Sequence, residues 1–297
     1  MLFTKKKHII EIGGGLGNQM FKYAFYLQFK KHFPETCIDI SSYKNTETHN
    51  GFELEKIFNL KPNYCNEVDL INIWDKNKSL LNKIKRKING YKPSVYSEHE
   101  YDYRFKSDIF NYKKPIYLEG CWLSEKYFEK ITDEVRNVFS FQPFDDEKNI
   151  KIKSLIENNQ SVSIHIRKGD YENNEIYSGI CTLNYYKNAV KYIKEKISNP
   201  LFIIFSDDSN SILQEFSFLN IDEFLIVNWN IGENSYKDMQ LMSLCKHNII
   251  AHSTFSWWGA WLNKNIDKIV ISPTKWFNSE KLKNIDIIPE DWIKISE

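Results

Sequence analysis

In the stretch SVSIHIRKGDY, Ser161 to Tyr171, an imidazole, two cations and a carboxylate follow one another: His165, Arg167, Lys168 and Asp170. An Arg offers a planar fork of donors matched to phosphate or carboxylate, and Lys168 and the Gly169-Asp170 turn behind it keep the loop tight around such an anion. The pattern reads as a phosphate clamp beside a carboxylate; the alternative is a strand ending in a solvated turn with an Arg-Asp ion pair. LFIIFSDDSN, Leu201 to Asn210, ends an apolar run in Asp207 and Asp208. Two carboxylates there suit a metal, a ribose or guanine edge, or the cap of a following helix. Because they would repel a diphosphate, Asp207 or Asp208 is assigned to a nucleoside, with helix capping the equal alternative for Asp208. AHSTFSWWGAWL, Ala251 to Leu262, sets Ser253, Thr254, Phe255 and Ser256 at a helix start, where hydroxyls and unpaired amides suit a phosphate. Trp257 and Trp261 share a helix face and read as core.

A fourth segment, GGGLGNQMFKYAF from Gly13 to Phe25, places glycines between a strand and a helix, so that backbone amides can approach a phosphate or sugar closely. Counted from Gly13, the third glycine of a dinucleotide fingerprint is replaced by Asn18, which disfavours a nicotinamide cofactor. Asn18 and Gln19 instead bring amides to the helix start, suited to hydroxyls or phosphate oxygens. A glycine loop that merely packs two elements closely is the alternative.

The elements that would position these residues are legible from periodicity. Strand His8–Ile12, a helix from about Gln19 to His32 and strand Cys37–Ile40 make a Rossmann-like opening. Residues Ser41 to Tyr112 are charged, aromatic and poorly periodic, and are read as inserted helices and loops before a strand at Pro115–Glu119. Beyond a boundary near Pro143 to Asp146 the pattern is regular. Helices are predicted over Asp145–Asn158, Leu183–Ile197, Ser209–Phe216, Ser235–Leu244 and Thr254–Leu262. Strands are predicted over Ser161–Ile166, Leu201–Phe205, Glu223–Val227, Asn248–Ala251 and Lys268–Ile271. This alternation predicts an α/β fold with a parallel, doubly wound sheet in the second half. The expected domains are therefore 1–143, Rossmann-like with a helical insert, and 144–297, doubly wound, facing each other across a cleft that would hold the ligand.

Composition narrows the function classes. The 297 residues are 42% hydrophobic and 15% aromatic, globular rather than disordered, and the net charge of +1 leaves no global field to favour nucleic acid. Five widely spaced cysteines without a C-x-x-C pair argue against a disulfide framework or zinc site and for a reducing compartment. The start MLFTKKKHIIEIGGG reads as neither signal peptide nor anchor, so a cytoplasmic protein is expected. Lys83, Lys85, Arg86 and Lys87 crowd a helix within Lys76 to Lys92, a candidate peripheral membrane contact as well as a plain solvated basic helix.

Taken in order, GGLGNQMFKYAF, HIRKGDY, FSDD and HSTFSWWGAWL resemble the motifs of the inverting α-1,2-fucosyltransferases of glycosyltransferase family 11. The later motifs are also similar to those of α-1,6- and protein O-fucosyltransferases. The resemblance spans Gly14 to Leu262; no motif matches between Ser41 and Tyr112, which leaves the acceptor open. It implies a two-domain GT-B architecture, GDP-β-L-fucose as donor, and inverting transfer to O2 of a terminal galactose on an O-antigen, lipooligosaccharide or lactose-like glycan. No cofactor and no obligatory metal are implied. By motif, Arg167 would hold the β-phosphate and His165 the ribose or a phosphate. Ser253, Thr254, Phe255 and Ser256 would line the nucleotide near Asp207 and Asp208, and Gly15, Gly17 and Asn18 would close the site. Lys168 stands where the family often has a second Arg, so a bidentate contact becomes a point charge. Asp170 is the candidate base, although it could equally orient Arg167, and the departing phosphate could itself take the acceptor's proton. A fucosyltransferase of another linkage and a non-catalytic glycan- or nucleotide-binding relative are the competing readings.

Overall fold

Runs of Ile, Val and Phe too short for helices become the strands of two parallel sheets. The computed structural model describes residues 7–45, 49–73, 80–89, 95–98, 103–167, 174–206, 212–279 and 286–296. The chain divides into two units, Met1–Ser140 with Asn284–Ile287, and Phe141–Lys283 with Ile288–Glu297.

In the first unit, β1 (Ile9–Glu11), α1 (Leu16–His32) and β2 (Cys37–Asp39) form the expected opening. Short helices α2 (Leu54–Phe58), α3 (Glu67–Ile73) and α4 (Leu80–Asn89) follow, then β3 (Val95–Ser97), β4 (Tyr117–Glu119) and α5 (Thr132–Val138). Among the described residues the strand order is β2-β1-β4-β3. The segment between Ser41 and Tyr112 is therefore not helices and loops alone. Its strand β3 pairs with β4 from Val95↔Tyr117 to Ser97↔Glu119. Val95–Ser97 sits in a charged and aromatic stretch with no apolar run to mark it, and pairing with β4 is what makes it a strand. Helix α1 is buried on nearly every side. Its Phe25 stacks on Trp122 with ring centroids 4.2 Å apart. Trp122 adopts the left-handed conformation, φ +52°, which costs a non-glycine residue about 1–2 kcal/mol. Full burial of its indole offsets that cost.

The second unit opens with α6 (Glu147–Asn158), capped by the Asp146 carboxylate, which accepts from Asn149 N at 2.9 Å. There follow β5 (Gln160–Ile166), α7 (Leu183–Lys196), β6 (Pro200–Ser206), α8 (Ile212–Glu215) and β7 (Phe224–Val227). Next come α9 (Tyr236–Leu244), β8 (His247–Ile249), α10 (Thr254–Leu262), β9 (Val270–Pro273) and β10 (Ile293–Ile295). The strand order is β10-β9-β8-β5-β6-β7. Strand β10, absent from the expected set, is again a three-residue edge element, paired with β9. Alternation along β5 and β6 sends Val162, Ile164, Ile166, Phe202 and Ile204 to one face, against Tyr185, Ala189 and Ile193 of α7. Ile203 and Phe205 pack on the other face, with Ile152, Ile156 and Leu241. Both faces are sealed, as a parallel sheet requires.

Several buried polar groups of this unit pair with one another and with the backbone. Asn248 of β8 donates to Ser163 Oγ at 2.7 Å and to the Met242 carbonyl at 2.8 Å, while accepting from Asn263 at 2.8 Å. Tyr186 donates to the His165 carbonyl at 2.9 Å, and Tyr185 to the Ile250 carbonyl at 2.6 Å. Those two tyrosines tie α7 to the ends of β5 and β8. The Trp-rich helix α10 buries Trp257 and Trp258 completely, and Trp257 stacks on Trp261 at 6.0 Å. Its Gly259 lies where a Cβ would stand 2.9 Å from Cβ of Met242 on α9. Gly259→Ala gains about 1 kcal/mol of helix propensity but overpacks a backbone-fixed contact, costing about 1–3 kcal/mol. A net fall in the denaturant midpoint of the protein is expected; an unchanged or raised midpoint would show that the two helices can separate without penalty.

Candidate functional site

In an open parallel sheet ligands bind beyond the carboxyl ends of the strands, at the point where the chain's winding reverses. In the second unit that point lies between β5 and β8: the chain runs β5, β6, β7 to one edge, then crosses back to place β8 on the other side of β5. Arg167 leaves β5 there, and His252 leaves β8. Both line a cavity of about 360 Å³ with Tyr177, Cys181, Thr182 and Glu215. That volume suits part of a nucleotide sugar or a similar small ligand.

Thr182 caps the fourteen-residue helix α7, accepting from Tyr185 N at 3.5 Å. The helix start therefore brings its positive end to the wall that carries Arg167, and both favour an anion. Cys181 Sγ lies 3.2 Å from His252 Nδ1. Burial, opposed by a hydrogen bond to the Tyr177 backbone and reinforced by Arg167, holds His252 down at about 4. Burial also lowers His165, to about 3, with Arg167 and then His252 adding to the effect. Two imidazoles beside a guanidinium thus stay neutral at physiological pH.

The expected site residues are brought together only in part. His165 does not line the cavity; its ring lies 5.7 Å from that of Phe255, on the face opposite Ile166, and it is 7% exposed. Its Nδ1 has no hydrogen-bond partner among the described residues. Ser253 caps α10 by accepting from Phe255 N at 3.3 Å. Ser256 is buried and donates to the Ala251 and Ser253 carbonyls at 3.4 and 3.3 Å. Thr254 and Phe255 are half-buried and lie at the start of α10. Lys168, Asp170, Asp207 and Asp208 lie outside the described residues.

In the first unit Gly15 is the N-cap of α1, with Gly17 and Asn18 in its first turn, and Gly14 has a left-handed φ of +84°. Gln19 is not available to a ligand, as the sequence suggests it would be. It is fully buried, donating to the Gly14 and Gly51 carbonyls at 3.0 and 2.8 Å and accepting from Glu53 N at 2.9 Å. It holds the glycine loop to the following segment. The strands of this sheet end in carboxylates: Glu11 on β1, Asp39 on β2, Glu98 just past β3 and Glu119 on β4. Glu11 pairs with Lys22 at 2.5 Å, and Asp39 accepts from Tyr117 at 2.8 Å. Glu98 Oε2 accepts from Cys121 N and Trp122 N at 2.6 and 3.1 Å. Its Oε1 has no partner among the described residues, and burial raises its pKa.

Tyr177, Cys181, Thr182, Glu215 and His252 do not stand out in the sequence, because they come from separate segments with no common spacing. His252 alone carries a signal, as the first residue of the HSTFS cluster.

A fold of two parallel α/β units with an anion-suited cavity at the switch point is that of GT-B-type glycosyltransferases. NodZ, an alpha-1,6-fucosyltransferase from Bradyrhizobium whose crystal was soaked with GDP-fucose, superposes with a TM-score of 0.50 at 16% identity, covering 87% of this chain and 93% of that one. The profile of Glycosyl transferase family 11 matches residues 3–296, and the chain belongs to that family. It is 35% identical to an Escherichia coli alpha-1,2-colitosyltransferase, over 97% of this chain and 99% of the relative. It is 34% identical to the Escherichia coli O-antigen biosynthesis glycosyltransferase WbnK, over 96% and 99%.

The neutral imidazoles have a consequence for stability. A histidine whose native pKa lies below its usual 6.5 stabilises the fold in full above pH 6.5, and that stability is lost as pH falls towards the native value. For His165 the loss at pH 5 is about 2 kcal/mol. His165→Asn is expected to shrink the drop in unfolding free energy between pH 7 and pH 5 by roughly that amount, measured by denaturant titration at both pH values. An equal drop in both proteins would place the pH dependence elsewhere.

Proposed function

We propose that this family 11 glycosyltransferase moves L-fucose from GDP-β-L-fucose to O2 of a terminal galactose, with inversion and without an obligatory metal. The observation that carries the reading is the cavity at the β5/β8 switch point, with Arg167 and the α7 N-terminus on its wall. In the transfer, the bond between fucose C1 and the β-phosphate oxygen breaks while galactose O2 bonds to C1 from the opposite side. Negative charge gathers on the departing diphosphate, and Arg167 stabilises it there. The proton on O2 goes to the Asp170 carboxylate or to the departing phosphate. Neutral His252, on the cavity wall, can offer a hydrogen bond to a ribose or phosphate oxygen, while buried His165 packs behind it against Phe255. Thr254 and Phe255 line the nucleotide and Asp207 or Asp208 meets the nucleoside. The hydroxyls of Ser253 and Ser256, already engaged with the backbone, shape the helix start instead. NodZ, whose crystal took up GDP-fucose, and the O-antigen glycosyltransferase WbnK support the donor and a glycan acceptor.

A second reading keeps the same chemistry with a colitosyl donor, favoured by the colitosyltransferase at 35% identity. Incubating the protein with lactose and either GDP-fucose or GDP-activated colitose, in EDTA, with linkage read by NMR, separates the two. An α-1,2-linked fucose is expected; transfer of colitose alone would replace the first reading. Arg167→Ala is expected to lower kcat by about 10²–10³-fold with the fold retained. A variant keeping half of wild-type turnover would remove Arg167 from its role.

The acceptor is assigned to the first unit, where carboxylates at the strand ends suit sugar hydroxyls as hydrogen-bond donors. Glu98→Gln is expected to raise the acceptor KM several-fold while GDP binding by calorimetry is unchanged. An unaltered acceptor KM would exclude Glu98 from that site.

A further inference from the structure

We infer that α4 is a membrane-docking helix, lying in the head-group region of an anionic bilayer. Helix α4, Leu80–Asn89, holds Leu80, Leu81, Ile84 and Ile88, which are 76%, 73%, 49% and 75% exposed. At about 100° per residue these four fall within a single arc of about 100°. An apolar stripe of that width normally faces a core, yet this one faces solvent. The helix is ten residues long, too short to be stable in water by propensity alone. Its exposed stripe is therefore a surface that a partner would cover.

Charge selects the partner. The same ten residues carry Lys83, Lys85, Arg86 and Lys87 and no acid, although the whole chain has a net charge of only +1. All four cationic positions lie outside the apolar arc, with 85 and 87 at its two borders. A second copy docking through the same stripe would bring four cations against four, which opposes self-association. A bilayer containing anionic lipid satisfies both halves of the helix: hydrocarbon for the stripe and phosphates for the cations at its edge. At about 1.5 Å per residue the helix is about 15 Å long, half of what spanning requires, so it lies in the plane of the surface. No helix among the described residues is long and apolar enough to cross a membrane. The inference does not depend on the donor or acceptor assigned above, since it is read with vesicles alone.

Flotation of the full chain with vesicles of phosphatidylcholine alone, or with one quarter phosphatidylglycerol, tests it. Binding to the anionic vesicles is expected, weakened at least tenfold both by 0.5 M NaCl and by omitting phosphatidylglycerol. Leu81→Glu with Ile88→Glu is expected to weaken it at least tenfold while circular dichroism and the thermal unfolding midpoint stay as in the wild type. Lys85→Glu with Lys87→Glu, which leaves the apolar stripe intact, reports the same loss if the first pair fails to fold. Failure of the wild type to float with anionic vesicles overturns the inference. So does flotation of both variants at the wild-type level, or a dimer in gel filtration that the Leu81 and Ile88 changes dissociate.

Discussion

A strand of a parallel sheet can deliver a polar side chain to a ligand only if the rest of it is sealed from water on both faces. Strand β5 meets that condition. Its Val162, Ile164 and Ile166 are covered by α7, and the opposite face of the sheet by α6 and α9. The carbonyl of its penultimate residue, His165, is held by Tyr186, and the neighbouring exit from β8 by Tyr185. Arg167 therefore emerges at a fixed place, between two strands whose separation is set by their pairing with each other. Side chains on mobile loops have no such anchor.

The same burial shapes the electrostatics. Removing water from His165 and His252 suppresses their protonation, and Arg167 reinforces this by disfavouring two further cations beside it. The outcome is one guanidinium, two neutral imidazoles and a helix N-terminus at one end of the sheet, with the Glu215 carboxylate on the same cavity. Such an arrangement favours an anion without itself being strongly basic.

The first unit shares the sheet architecture but has the opposite character at its strand ends. Carboxylates occupy all four of them, and the partners they have are local: Lys22 for Glu11, Tyr117 for Asp39, backbone amides for Glu98. The amides that bind Glu98 belong to Cys121 and Trp122, so the left-handed turn at Trp122 and the orientation of Glu98 are one feature. Acidic strand ends in one unit thus contrast with the cationic end of β5 in the other.

Much of this architecture could be read from the chain before folding, because the longer elements carry their own periodicity. The apolar alternation of β5 and β6, the amphipathic α7 and the Trp-rich α10 appear where expected. The three-residue strands β3 and β10 do not, since only pairing with β4 and β9 makes them strands. Residue type and spacing likewise placed a guanidinium at the carboxyl end of β5 and four cations on a helix around Lys83 to Lys87, because charge and spacing are local properties. Which polar groups remain for a ligand is not local. Gln19 and Ser256 have the right chemistry but are engaged with buried carbonyls, while Tyr177, Cys181, Thr182, Glu215 and His252 reach one cavity from distant segments. The order of residues settled the kinds of group present and the elements bearing them; packing settled which groups meet, because burial forces each hydrogen bond to be satisfied by whatever the fold brings near.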